Sequence, residues 1–130
     1  MAKAGSILLV EDDDVDILSI TRALKELQVP QEIVIRTNGN QALSYLYDTP
    51  SLPQLVLLDL NMPLMNGFEF LYELRKEDHL RDLPVVVLST SGSKEDIDTS
   101  FQLGVEQYFV KPIGYREYLN IFSQLSNYWQ

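Results

Sequence analysis

Residues 55–67 read LVLLDLNMPLMNG: four apolar residues closed by an acid, then at once a cluster of the turn formers Asn, Pro and Gly. A short apolar run bounded by turn residues suits a strand buried on both faces. Beyond the turn, Phe68, Leu71 and Leu74 recur at helical spacing, so the stretch predicts one strand–loop–helix unit. Asp59, the acid that ends the run, stands where the chain leaves a buried strand. That is a costly place for a charge without a partner.

The same unit repeats on both sides. Apolar runs at Ile7 to Val10, Ile33 to Ile35, Val85 to Leu88 and Tyr108 to Val110 give four more strands. Helical spacing follows each: Ile17, Ile20, Leu24 and Leu27 after the first, Ala42, Leu43 and Leu46 after the second. Ile97 and Phe101 follow the fourth, with Ser93 and Asp96 spaced as a capping box and Gly104 just past the helix end. A last helix is read from about Tyr115 to Trp129. Right-handed crossovers between parallel strands place helices on both faces of a sheet. The expected fold is α/β: a doubly wound (βα)5 flavodoxin-like arrangement, its five-stranded parallel sheet in the order 2-1-3-4-5. The 130 residues suit a single domain over 1–130, with no separate output domain.

Composition removes several classes of function. The chain has 19 acids against 10 Lys and Arg, a net charge of −9, so its surface would repel a nucleic acid. With no cysteine and one histidine, thiol chemistry, Cys-ligated zinc, iron–sulfur clusters and His-cluster metal sites drop out. No apolar run reaches the roughly 18 residues of a membrane span and no signal-peptide core opens the chain, so the expected location is the cytoplasm.

In a doubly wound sheet, ligands sit at the carboxyl ends of the strands, beside the point where strand order reverses. The first strand runs into Glu11, Asp12, Asp13 and Asp14, with Asp16 close behind; the third ends at Asp59, the fourth at Ser89 and Thr90, the fifth at Lys111 and Pro112. Taken singly, each has an ordinary explanation. An acidic run after a strand is most often a helix start, a strand-end serine is usually a satisfied hydroxyl, and a lone lysine usually faces solvent. Their joint placement on one predicted edge points to a site. Crowded carboxylates need a cation, and an oxygen-only ligand set favours Mg²⁺ or Mn²⁺. EDDD leaves two registers open for the acidic pair, Glu11 with Asp12 or Asp12 with Asp13; the strand ending at Val10 favours the first. A calcium loop starting at Asp12 fails, because Ile17 and Ala23 stand where Gly and Glu are required.

Together ILLVEDD (7–13), LVLLDLNMPLMNG (55–67), PVVVLSTS (84–91) and YFVKP (108–112) resemble the receiver domain of two-component response regulators over essentially the whole chain. The layout is similar to single-domain chemotaxis regulators and, at finer grain, to stand-alone receivers that pair with bacteriophytochrome histidine kinases. The resemblance implies that Asp59 is the phosphoacceptor, and that Glu11, Asp12, Asp59 and the backbone carbonyl of Asn61 hold Mg²⁺. Lys111 would pair with Asp59 and later with a phosphoryl oxygen, Ser89 and Tyr108 would form the switch, and the bond before Pro112 would be cis. It further implies a sensor histidine kinase or histidine phosphotransfer protein as donor and a downstream effector reached by contact. Self-phosphorylation and self-dephosphorylation would be weak, so this is not an enzyme in the ordinary sense.

In the last predicted helix, Tyr115, Tyr118, Leu119, Ile121, Phe122, Leu125, Tyr128 and Trp129 cover an arc of about 180°, wider than the stripe of a one-sided surface helix. Tyr115, Tyr118, Phe122, Leu125, Tyr128 and Trp129 are accordingly candidates for an interface, including a homodimer, on the face of the fourth helix, fifth strand and fifth helix. Three other functions compete. A flavodoxin-type electron carrier would need a phosphate-cradling loop where EDDD stands. An aspartyl-phosphate hydrolase would want a second Asp where Asn61 stands. A phosphorylation-independent adaptor would have no need of the full set of acids, hydroxyl and lysine.

Overall fold

The computed structural model describes residues 5–129. Strands β1 (Ser6–Val10), β2 (Glu32–Arg36), β3 (Leu55–Leu58), β4 (Val85–Ser89) and β5 (Gln107–Val110) alternate with α1 (Asp14–Glu26), α2 (Gly39–Asp48), α3 (Gly67–Lys76), α4 (Lys94–Gln102) and α5 (Tyr115–Ser123). All pairings are parallel, in the order β2-β1-β3-β4-β5. The expected fold and strand order are therefore both observed.

The apolar runs bury two faces because successive strand residues point opposite ways. On one face Leu8, Val10, Val56, Leu58, Val85 and Val87 meet Ala42, Leu43 and Leu46 of α2 and Phe70, Leu71 and Leu74 of α3. On the other, Ile7, Leu9, Leu55, Leu57, Val86 and Leu88 meet Ile20, Ala23 and Leu24 of α1 and Tyr118, Ile121 and Phe122 of α5. At about 1.5–3 kcal/mol for each large apolar side chain removed from water, these two layers dominate folding. No helix among the described residues is long and apolar enough to cross a membrane.

Sequence and structure part at three local points. The last helix stops at Ser123 and resumes only as a 3-10 turn over Ser126–Tyr128, not as one helix to Trp129. Ser123 Oγ donates to the Leu119 carbonyl at 2.7 Å and Gln124 Nε2 to that of Asn120 at 3.3 Å. Such local bonds compete with helix continuation. The Ser93–Asp96 box forms by half: Ser93 Oγ accepts from the Asp96 amide at 3.1 Å, while the Asp96 carboxylate takes the Ser91 hydroxyl at 2.6 Å. A complete box instead opens α3, where Asn66 Oδ1 accepts from the Glu69 amide and Glu69 Oε1 from the Asn66 amide.

The loop between β3 and α3 is pulled tight against the end of β3. The Gly67 amide donates to the Leu60 carbonyl at 3.0 Å. A Cβ on Gly67 would stand 2.7 Å from both the Asp59 carbonyl oxygen and the Leu60 Cα, so backbone would have to give way. Gly67→Ala is expected to lower stability by about 1–3 kcal/mol, the usual cost of overpacking, read from the urea midpoint; an unchanged midpoint would show that the loop yields freely.

Candidate functional site

β1 and β3 are neighbours whose crossovers leave in opposite directions, so their carboxyl ends frame the crevice of the sheet. Val10 pairs with Leu58, and the Asp59 amide donates to the Val10 carbonyl at 3.0 Å. This register brings Glu11 and Asp59 side by side. Asp13 is spent as the N-cap of α1, its Oδ1 accepting from the Asp16 amide at 2.9 Å. The acidic pair is thus Glu11 with Asp12, the first of the two registers. Glu11, Asp12 and Asp59 each offer a carboxylate oxygen, all within 4.8 Å of one another. An all-oxygen set of crowded carboxylates fits a hard divalent cation.

Burial sets the electrostatics. Glu11 is 1% exposed and Asp59 4%. Burial pushes the Glu11 carboxyl up to about 7, against the bond from Lys111, and the Asp59 charge adds to the rise. Burial likewise raises Asp59, opposed by the Lys111 charge and by the Asn61 amide bonded to its carboxylate. Lys111 Nζ stands 2.8 Å from Glu11 Oε1, 3.6 Å from Asp59 Oδ1 and 2.6 Å from Asp16 Oδ2. Burial works against this ammonium, but bonds to Asp16 and Glu11 outweigh it and hold its pKa above the ordinary lysine value.

β4 and β5 complete the edge. Ser89 pairs with Val110, and the Lys111 amide donates to the Ser89 carbonyl at 2.7 Å. Ser89 is fully buried, its Oγ accepting from the Ser91 amide at 3.1 Å. The half-buried Tyr108 donates its hydroxyl to the Ser91 carbonyl at 2.7 Å, so Ser89 and Tyr108 each bond the backbone of Ser91 in the loop after β4. The bond between Lys111 and Pro112 is trans, contrary to the expectation of cis; no cis bond occurs among the described residues. For an X–Pro bond trans is the default, favoured by about 0.5–1 kcal/mol.

The expected aromatic interface on α5 is mostly core. Tyr118, Phe122 and Leu125 are buried at 4%, 0% and 1%, packed against β1, β3, β4 and α1. Tyr115 donates to Glu26 Oε1 at 2.9 Å and lies under the Arg22 guanidinium, 4.4 Å from its ring centre. Tyr128 bonds Glu106, and Trp129 is half-buried. The wide arc is used up because α5 is covered by the sheet on one side and α1 on the other. On the neighbouring α4 and β5 and the loop that follows, Phe101, Val110 and Ile113 are exposed. Sequence reasoning also gave Asp16 no role. Its position three residues after the N-cap Asp13 reads as helix capping, yet its carboxylate turns to Lys111 and lies 3.5 Å from the Tyr118 hydroxyl. Burial and the Asp16 charge push that hydroxyl up to about 12.

A family model described as the response regulator receiver domain matches residues 7–123. Response regulator Rcp1 of Synechocystis is 33% identical over 128 residues, covering 95% of this chain and 87% of Rcp1. The crystal structure of the Mn²⁺-bound form of Rcp1 superposes with a TM-score of 0.85 at 32% identity, over 96% of this chain and 94% of that one. The phosphorylated cyanobacterial phytochrome response regulator RcpA gives a TM-score of 0.87 at 38% identity, covering 96% and 93%. The probable methanogenesis regulatory protein FilR2 of Methanothrix harundinacea is 35% identical over 127 residues, covering 95% and 82%.

The raised carboxyls make metal binding and pH interdependent. Glu11 keeps its proton to about 7 in the folded chain but would lose it near 4.5 when unfolded. Between those values the folded state binds more protons, so metal-free stability falls as pH rises. A cation needs the ligand deprotonated, so its stabilisation grows over the same interval. Adding MgCl2 is expected to raise the melting temperature more at about pH 8 than at about pH 5.5; equal increments would contradict the assignment of Glu11 to the metal site.

Proposed function

Because the chain belongs to the response regulator receiver domain family, we propose that it works by accepting a phosphoryl group on Asp59 in two-component signalling. The observation that carries this is a carboxylate, 4% exposed at the end of β3, lying 3.6 Å from a buried ammonium and within reach of two further carboxylates. Asp59 attacks phosphorus as the P–N bond of a donor phosphohistidine breaks, and the departing imidazole takes up a proton. A carboxylate can act as such a nucleophile, and phosphoryl transfer asks chiefly for positioning and charge neutralisation. Lys111 neutralises one phosphoryl oxygen, Ser89 donates its hydroxyl to another, and Tyr108 follows the loop that Ser89 moves. Glu11, Asp12, Asp59 and the Asn61 carbonyl would hold Mg²⁺, which would offset charge on the transferring group.

The donor is a sensor histidine kinase or a histidine phosphotransfer protein. A domain acting alone is supported by relatives of which this chain spans 82% and 87%. Output is by contact, and the exposed Phe101, Val110 and Ile113 offer an effector or a second copy more apolar surface than α5 does. The Mn²⁺-bound Rcp1 and the phosphorylated RcpA support both the metal and the chemistry.

Incubation with acetyl phosphate and Mg²⁺ is expected to add one phosphate by mass spectrometry. The added mass should be absent in Asp59→Asn and removed by chelator; an unmodified wild type sinks the reading in favour of a phosphorylation-independent adaptor. Lys111→Ala should keep residual phosphorylation but lose output in a reconstituted pathway, and unchanged output would remove the lysine from the switch.

A further inference from the structure

The ammonium that must meet the phosphoryl group is held most closely by a residue outside that chemistry. Lys111 Nζ is 2.6 Å from Asp16 Oδ2, against 2.8 Å to Glu11 and 3.6 Å to Asp59. Asp16 occupies the first turn of α1, where an acid three residues after the cap would ordinarily bond back to the cap amide. Here only the Asp16 amide serves the cap, on Asp13 Oδ1. The carboxylate faces Lys111 with one oxygen and the Tyr118 hydroxyl of α5, at 3.5 Å, with the other. Its side chain is 26% exposed, so water screens this pair only in part.

We infer that Asp16 is a positioning residue: a latch that fixes the resting place of the Lys111 ammonium and competes with the phosphoryl group for it. This rests on Asp59 being the phosphoacceptor. An oxygen carried on Asp59 can engage the ammonium fully only if the lysine gives up contact with Asp16. The latch thereby slows phosphorylation and shortens the life of the phosphorylated form. Its release leaves Asp16 facing Tyr118 alone, the ring that stacks on Phe122 in the core beneath α5.

The test measures acetyl phosphate-driven phosphorylation and subsequent loss of phosphate in Asp16→Asn and Asp16→Ala, with Asp14→Asn as an exposed control on the same turn. Asp16→Asn and Asp16→Ala are expected to speed phosphorylation about three- to tenfold and to lengthen the phosphorylated lifetime, the scale of one partly screened ion pair. Asp14→Asn should change the rate less than about twofold, through the general field alone. In a Lys111→Ala background the gain from Asp16→Asn should vanish, whereas a purely structural effect of Asp16 would persist. A gain that survives without Lys111, is matched by Asp14→Asn, or is missing in both Asp16 variants overturns the latch. A wild type that takes no phosphate overturns the phosphoacceptor reading and the latch with it, so the two failures are distinguishable.

Discussion

One ammonium among buried carboxylates is the constraint on which the rest of the structure depends. Removing the charged forms of Glu11 and Asp59 from water costs on the order of several kcal/mol each even after the protein relaxes, and only a well-placed opposite charge makes such burial tolerable. Lys111 supplies that charge from β5, the strand at the far edge of the sheet from β2. The arrangement holds only if β1, β3, β4 and β5 keep their register and the loops after them stay short. Two dry layers on either side of the sheet enforce this. They fix backbone positions, and the carboxyl edge inherits its geometry from them.

The site is strained electrostatically rather than sterically. Three carboxylates crowd together beside one lysine, and burial, with the charges of neighbouring acids adding to it, displaces Glu11 and Asp59 upward. Such a pocket is prepared for more positive charge and for a group that redistributes what is already there. Residues one step away from the chemistry, Asp16 on α1 and Ser91 after β4, take up the contacts of Lys111 and Tyr108 in the resting state.

Much of this was legible in the sequence because burial and periodicity are local signals. Five apolar runs became five strands, and Asp59, Lys111 and Ser89 fall on one edge because strand ends in a doubly wound sheet must. The less legible parts depend on neighbours. The arc on α5 records which residues are apolar, not that α1 would cover Tyr118 and Phe122. Asp16 carries the same signal as any acid in a first helical turn; only the approach of β5, 95 residues away, distinguishes it. The choice of trans at Pro112 and the early end of α5 rest on small local energies that no pattern of apolar residues encodes.

The bond from the Lys111 amide to the Ser89 carbonyl joins the two residues proposed to grip different oxygens of one phosphoryl group by a single rung between β4 and β5. Lysine and hydroxyl are therefore parts of one lever and cannot be tuned in isolation by moving either backbone. A residue inserted anywhere from Gln107 to Lys111 would slip that rung and turn every following side chain to the opposite face of the sheet. Length in this segment is consequently less negotiable than composition: β5 can change the faces of its middle residues, but the count of residues leading to the lysine is set by the strand beside it.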